Sequence, residues 1–159
     1  MTPSLTVELH LPNPETTAEL AQRLGQAVEP GTFLALDGDL GAGKTFFTRE
    51  LTRALGCARL ANSPTFALFQ KYKGGRLPVL HGDLYRLNSC AELEDLGWEE
   101  MLREYADGLV VLEWANRFPD LLPKDRLGLS WTLGESEDQR QLRLAAFGQR
   151  AARLLEALQ

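Results

Sequence analysis

Residues 35–51 read ALDGDLGAGKTFFTREL: an apolar run, then three glycines with a lysine and a threonine, then a stretch of helical character. No other segment restricts the fold as much. Gly38, Gly41 and Gly43 each add to the backbone entropy lost on folding, and a plain turn would use one glycine or two. The excess implies that something approaches this backbone closely. The spacing Gly38-x-x-x-x-Gly43-Lys44-Thr45 is a full P-loop pattern, in which glycines let successive N–H groups turn inward around phosphate oxygens. The pattern requires a strand before it and a helix after it. TFLALDG is short and almost unbrokenly apolar, as a strand buried on both faces should be. KTFFTRELTRALG places Phe47, Leu51 and Leu55 on one helical face, and Gly56 suits the C-terminal cap.

The remaining segments extend this unit. SLTVELH alternates and predicts an opening strand. PNPETTAELAQRLGQAV predicts a helix with a capping box at Thr16 and Glu19, and with Leu20, Leu24 and Ala27 sharing a face. TFALFQKY and RLPVLHGDLY flank KGG as a hairpin. AELEDLGWEEML reads as one acidic amphipathic helix, GLVVLEW as a second buried strand ending in a carboxylate, and FPDLLPKD as a loop or short helix. RLGLSWTL and QRQLRLAAF alternate around the polar GESED, predicting a second hairpin, and GQRAARLLEALQ closes as a helix. With no repeat, low-complexity tract or linker, residues 1–159 are expected to form one domain. The fold class is α/β: a parallel core sheet carrying the glycine loop, extended by antiparallel strands and flanked by helices.

Composition removes several functional classes. At 44% hydrophobic and 25% charged the chain has the make-up of a soluble globular protein. A net charge of −5 argues against a protein that grips nucleic acid by itself. Cys57 and Cys90 lie outside any CxxC spacing, so no zinc ligand set or redox pair is visible, and two free thiols point to a reducing compartment. MTPSLTVELH lacks the basic and apolar regions of a signal peptide, and no apolar run approaches a membrane span, so the expected location is cytoplasmic.

The chemistry follows from the glycine loop. Lys44 can reach the β- and γ-phosphates of a nucleotide, and the Thr45 hydroxyl can ligate Mg²⁺. The positive end of the following helix points at the same place. A P-loop also needs a carboxylate near the metal, usually at the end of a neighbouring buried strand. Glu113 in LVVLE fits that position, directly or through water. Asp83 in HGDLYR leaves two readings open: it orients the attacking water or a metal-bound water, or it caps the next turn. Thr65 follows Ser63-Pro64, where P-loop switches often place a γ-phosphate sensor, with a plain turn as the other reading. His81 reads as a structural histidine, Arg86 as a phosphate contact or a surface ion pair, and Trp98 and Trp114 as packing residues. The acidic run from Glu92 to Glu100 reads as the solvated face of a helix. No N/T-K-x-D sequence that reads guanine is present, which favours ATP over GTP.

Taken together, GDLGAGKT, SPTF, HGDLYR, ELEDLGWEE and LEW resemble the bacterial TsaE family, formerly the YjeE family, in order and spacing from about Thr16 to Pro123. The resemblance implies a P-loop fold and a cytoplasmic ATPase, with Mg²⁺ served by site residues. It implies a requirement in making threonylcarbamoyladenosine, the modified base next to the anticodon in tRNAs reading codons that start with A. It also implies TsaB and TsaD as partners, with TsaD carrying the threonylcarbamoyl transfer. Slow turnover alone and acceleration by those partners are expected on a separate ground: Arg86 is the only arginine beside a recognised site motif to add charge at the γ-phosphate. By position, Asp39, Leu40, Gly41, Ala42, Gly43, Lys44, Thr45 and Phe46 would hold the nucleotide, with Thr17 near the adenine. Thr45 and Glu113 would serve Mg²⁺, and Lys44, Asp83, Glu113 and the switch threonine Thr65 would form the catalytic set. Trp114 matches a family tryptophan. Gly82 departs from relatives that often carry a bulkier residue there, with little consequence expected. A protein that works on a tRNA-modifying complex needs no basic face of its own, so no direct tRNA binding by the isolated chain is expected. The competing readings are a small-molecule or nucleotide kinase and a non-catalytic nucleotide-dependent adaptor. No arginine-rich lid insertion supports the first, and Asp83 with Glu113 speaks against the second.

Overall fold

The structure is a computed structural model that describes residues 2–39, 41–61 and 68–159. The unbroken apolar run at Thr32–Asp37 forms strand β2, following β1 (Leu5–Leu11) and helix α1 (Pro14–Ala27), and leads through the glycine loop into α2 (Lys44–Leu55). Next come β3 (Phe69–Tyr72), β4 (Val79–Asp83), α3 (Cys90–Asp95), α4 (Trp98–Glu104) and β5 (Leu109–Glu113). Two 3₁₀ turns, Ala115–Arg117 and Pro119–Leu121, precede β6 (Arg126–Leu133), β7 (Arg140–Phe147) and α5 (Gln149–Ala157). The seven strands lie in the order β1-β7-β6-β2-β5-β4-β3. β6, β2, β5 and β4 run parallel, whereas β7, β1 and β3 pair antiparallel with their neighbours. This is the expected parallel core with antiparallel extensions.

Burial on both faces explains why β2 is unbrokenly apolar. Leu34 and Leu36 join Leu20 and Leu24 of α1, Phe47 and Leu51 of α2, and Leu154 and Leu155 of α5 in one cluster. Phe33 and Ala35 point the other way, into a cluster with Leu93 of α3, Trp98 of α4, and Val110 and Leu112 of β5. Each fully buried side chain of this size contributes about 1.5–3 kcal/mol. In β1 every second residue is exposed, and in β7 Leu142, Leu144 and Ala146 are buried between exposed or half-buried neighbours, the period-two pattern of a sheet with one face packed on the core.

Three local expectations need correction. Helix α1 starts earlier than the Thr16–Glu19 box. Asn13 is the N-cap, its Oδ1 accepting from the Thr16 N–H at 2.9 Å and the Thr16 hydroxyl at 2.7 Å. Pro14 then occupies the first helical position, where a missing N–H costs nothing. The acidic helix is two helices. Gly97 sits between them at φ 83°, a left-handed conformation that ends α3 and that only glycine adopts cheaply. Gly82 is not an indifferent substitution. Phe69, its cross-strand partner, lies over it so closely that an added Cβ would come within 2.5 Å of the ring. The space of the missing side chain is already filled.

Candidate functional site

The parallel register brings three strand ends into one row: Leu36 of β2 lies opposite Glu113 of β5, and Glu113 opposite Asp83 of β4. Period-two alternation then turns His81, Asp83 and Glu113 toward the face that α2 covers. The glycine loop rises from the end of β2 over this row. Gly38 has φ 147°, and a Cβ there would meet the Trp131 carbonyl at 3.0 Å, so both the torsion and the contact require glycine. Gly43 has φ 116° and stands as the N-cap of α2. Among the described residues nothing lies within 4 Å of a Cβ built on Gly41 or Gly43, which leaves that stretch of backbone open to a ligand.

Lys44 opens α2 with only 5% of its surface exposed. Its Nζ donates to the Gly38 carbonyl and sits 3.7 Å from the centroid of the Trp114 ring. Burial pushes the ammonium below the ordinary lysine range, against the pull of Glu113, Asp83, Asp37 and Asp39. Trp114 has φ 57°, the one non-glycine residue at positive φ among the described residues. Such a residue costs on the order of 1–3 kcal/mol. Its N–H donates to the Leu36 carbonyl at 2.9 Å, and its ring packs 5.0 Å from that of Tyr85. Trp98 is the packing residue expected, 2% exposed, with Nε1 donating to the Leu121 carbonyl at 3.2 Å. Trp114, in contrast, lines the cleft itself.

The carboxylates differ in environment. Glu113 is 2% exposed and its Oε2 lies 2.6 Å from Nε2 of His81, which is fully buried. The histidine is structural in the sense expected, yet it holds a site carboxylate. Asp83 is half-buried, and its Oδ1 accepts the Tyr85 N–H at 2.9 Å. It therefore does cap the next turn while also bordering the cleft of about 310 Å³ that Lys44, Thr45, Glu113 and Trp114 line. Desolvation raises the Asp83 carboxyl above the usual range, and the neighbouring Glu113 adds to this, opposed by the Tyr85 N–H, Lys44 and His81. Asp37, the last residue of β2, was not singled out by sequence. Its Oδ1 accepts the Asn116 N–H at 2.9 Å, and burial raises its carboxyl as well.

A second cleft, about 290 Å³, adjoins the other side of the loop and is lined by Thr17 of α1, Phe46 of α2, Ala42, Asp138 and Arg140. Thr17 is buried and Phe46 exposed. Asp39 is exposed, and its carbonyl accepts the Ala42 N–H at 3.0 Å. Arg86 is exposed and lines neither cleft. Leu40 and the Ser63-Pro64-Thr65 segment lie outside the described residues. Sequence reasoning missed Arg140, whose guanidinium meets the loop from ninety-eight residues away. Nothing local to QRQLRL marks that contact.

Comparison with known proteins points to one family. The family model described as threonylcarbamoyl adenosine biosynthesis protein TsaE matches residues 11–142. The tRNA threonylcarbamoyladenosine biosynthesis protein TsaE of Bacillus subtilis is 39% identical over 146 residues, covering 92% of this chain and 89% of that protein. The protein of the same name from a Nostoc species is 35% identical over 150 residues, with 92% and 90% covered. The crystal structure of Bacillus subtilis YdiB superposes with a TM-score of 0.82 at 31% identity, covering 97% of this chain and 94% of that one.

Proposed function

This chain belongs to the TsaE family, and on that footing we propose that it serves the threonylcarbamoyladenosine modification of tRNA by binding and hydrolysing ATP with Mg²⁺. The tRNAs concerned are those reading codons that start with A, modified at the adenosine next to the anticodon, and the partners are TsaB and TsaD. The observation that carries the ATPase reading is the convergence of Lys44, Asp83 and Glu113 in one cleft beside the open glycine backbone.

The residues suit the ligands. Lys44 rests on a neutral carbonyl and an aromatic face. Both partners are weaker than a phosphate oxygen, so the ammonium exchanges them at a gain when a nucleotide enters. The start of α2 and the loop amides direct further N–H groups at the same anion. Mg²⁺ is typically held through one or two carboxylates plus substrate phosphates rather than by an all-protein cage. Thr45 and Glu113 would hold it, with His81 fixing the Glu113 carboxylate through one oxygen and leaving the other. Bound Mg²⁺ would supply positive charge to the β- and γ-phosphate oxygens. Asp83, with Oδ1 already held by Tyr85, would use its remaining oxygen to align the attacking water. The water oxygen would bond to the γ-phosphorus as the bond to the bridging oxygen breaks, its electron pair staying with ADP, while one water proton remains on the inorganic phosphate and the other passes to solvent. Thr17 and Phe46, across the loop, would border the nucleoside.

The described cleft offers a single cation, Lys44, to the γ-phosphate. An arginine finger adds about 10³- to 10⁵-fold where one is used, so a site without one should be slow until a partner completes it. ATP turnover measured alone and with purified TsaB and TsaD tests this. Slow hydrolysis alone and a marked rise with the partners are expected. Equal rates would refute partner activation, and tight ATP binding with no turnover under either condition would favour the adaptor reading.

A further inference from the structure

Arg140 opens β7, and its planar guanidinium spends four donors on backbone carbonyls. Nε donates to Ala42 O at 3.0 Å and Nη2 to Gly41 O at 3.2 Å, while Nη1 donates to Glu137 O at 2.6 Å and Gln139 O at 2.8 Å. One side chain thus staples the glycine loop to the turn between β6 and β7. We propose that Arg140 is a positioning residue for nucleotide binding, bracing the Gly41–Ala42 peptide plane and holding the Ala42–Gly43 plane in the orientation that receives phosphate.

The inference rests on the nucleotide reading of this cleft and goes beyond it, because the C-terminal hairpin lies outside the loop and its strand-end carboxylates. The argument is geometric. Peptide units are planar and trans, so fixing a carbonyl fixes the direction of the N–H across the same bond. Gripping Ala42 O therefore sets where the Gly43 N–H points. Gripping Gly41 O sets the Ala42 N–H, which donates to Asp39 O at 3.0 Å, so this plane is held at both ends. A loop this rich in glycine would otherwise sample many conformations, and a ligand would have to supply the ordering. A second contact from the same hairpin acts on the start of the loop. Trp131 of β6 lies against Gly38, and its ring centroid lies 5.2 Å from that of Phe47 in the first turn of α2, the two rings tilted by 60°. The hairpin is thus a wall of the site, touching the loop at Gly38 and again at Gly41–Ala42. Lysine cannot reproduce this staple, because it presents rotating donors on one atom rather than a rigid fork.

The plainer role for Arg140 is closure of its own turn through Glu137 and Gln139. The two roles differ in what they move. ATP and ADP affinities of the full chain would be measured by calorimetry with Mg²⁺ for wild type, Arg140→Gln and Arg140→Lys, alongside amide hydrogen exchange without nucleotide. Arg140→Lys keeps the charge and loses the fork. It should weaken both nucleotides by about tenfold, the scale of one lost charge-assisted hydrogen bond. Exchange should quicken at residues 41–44 while the strands keep their protection. Arg140→Gln should weaken binding at least as much. If it fails to fold, the lysine variant carries the test. Wild-type affinity in a folded Arg140→Lys overturns the proposal, as does faster exchange spread through β6 and β7 with the loop no different from them. Absence of ATP binding by the wild type sinks the nucleotide reading and this proposal with it. Binding by the wild type with no loss in Arg140→Lys sinks this proposal alone.

Discussion

Replacing Lys44 by methionine separates what the ammonium does for a ligand from what it does for the fold. Methionine keeps the length and apolar stem and removes the charge. On the ligand side, a charge-assisted hydrogen bond contributes about 1.5–3 kcal/mol, so ATP affinity should fall about ten- to a hundredfold. The effect on the fold has the opposite sign. The ammonium loses its contact to Gly38 O and its seat over Trp114, yet the downward displacement of its pKa already includes the attraction of Glu113, Asp83, Asp37 and Asp39. Burial outweighs them all. The folded chain therefore carries a charge that it would hold more cheaply in water, and the unliganded methionine variant should melt at the wild-type temperature or above.

Proton linkage supplies a check. A lysine whose folded pKa lies below its unfolded value of about 10.4 binds fewer protons folded than unfolded in the interval between them. Wild-type stability should then gain a component that rises with pH through that interval, and the methionine variant should lack it. Calorimetry for affinity and thermal melts from pH 7 to about 10.5, bracketing the lysine value, measure both. A folded variant that binds ATP like wild type refutes the phosphate assignment. A variant several degrees less stable without ligand refutes the claim that the buried ammonium opposes folding.

Three further outcomes are expected. Glu113→Gln should lose most of the Mg²⁺ dependence of ATP binding while ADP binding without Mg²⁺ stays close to wild type, measured by titration with and without chelator; an unaltered Mg²⁺ dependence removes Glu113 from the metal site. Asp83→Asn should cut hydrolysis by about 10²-fold or more, the scale of a positioned acid–base group, with ATP affinity within about threefold of wild type, because orienting water matters in the transition state; equal losses in both would make Asp83 a binding residue. Asp37→Asn keeps an acceptor for the Asn116 N–H and removes a carboxyl whose folded pKa burial holds above its unfolded value of about 3.9. The wild type therefore loses stability as pH rises through the folded pKa, and the asparagine variant should melt no lower at neutral pH and lack this pH-dependent component, so that its acid limb differs from the wild type's by the stability Asp37 gains on protonation. A lower neutral melting point with an unchanged limb would contradict this.

The strand–loop–helix unit was legible because its signals are local. The glycines, the apolar run and the helical face all lie between Thr32 and Gly56. Glu113 and Asp83 were legible as carboxylates closing apolar runs, since parallel strands end at one edge. What stayed hidden needed contacts across the sheet. His81 and Glu113 are thirty-two residues apart, and only the β4–β5 register joins them. Arg140 reaches the loop because β6 pairs parallel with β2 and returns through β7, and no periodicity in β7 reports that neighbour. Two misreadings were of weighting rather than distance. Asn13-Pro14 is itself a helix-start signal and outranked the Thr16–Glu19 box, and Gly97 was present to divide the acidic helix.

Several costly features of this structure gather in one place. The buried ammonium of Lys44, the left-handed Trp114, the raised carboxyls of Asp37 and Asp83, and the glycines at 38, 41 and 43 all gather at the ends of β2, β4 and β5. Away from that edge, apolar residues fill both clusters, Asn13 and Ser89 cap their helices with side-chain acceptors, and Gly56 and Gly97 follow α2 and α3. A chain selected for stability alone would not concentrate strain, desolvated charge and backbone entropy in one row. Among the described residues, two carboxylates, Asp83 and Glu113, share the cleft with one cation, Lys44. An anionic nucleotide entering such a row adds further repulsion unless it brings a cation with it. On the proposed nucleotide reading, that surplus of carboxylate is why a divalent ion would accompany the phosphates into this cleft.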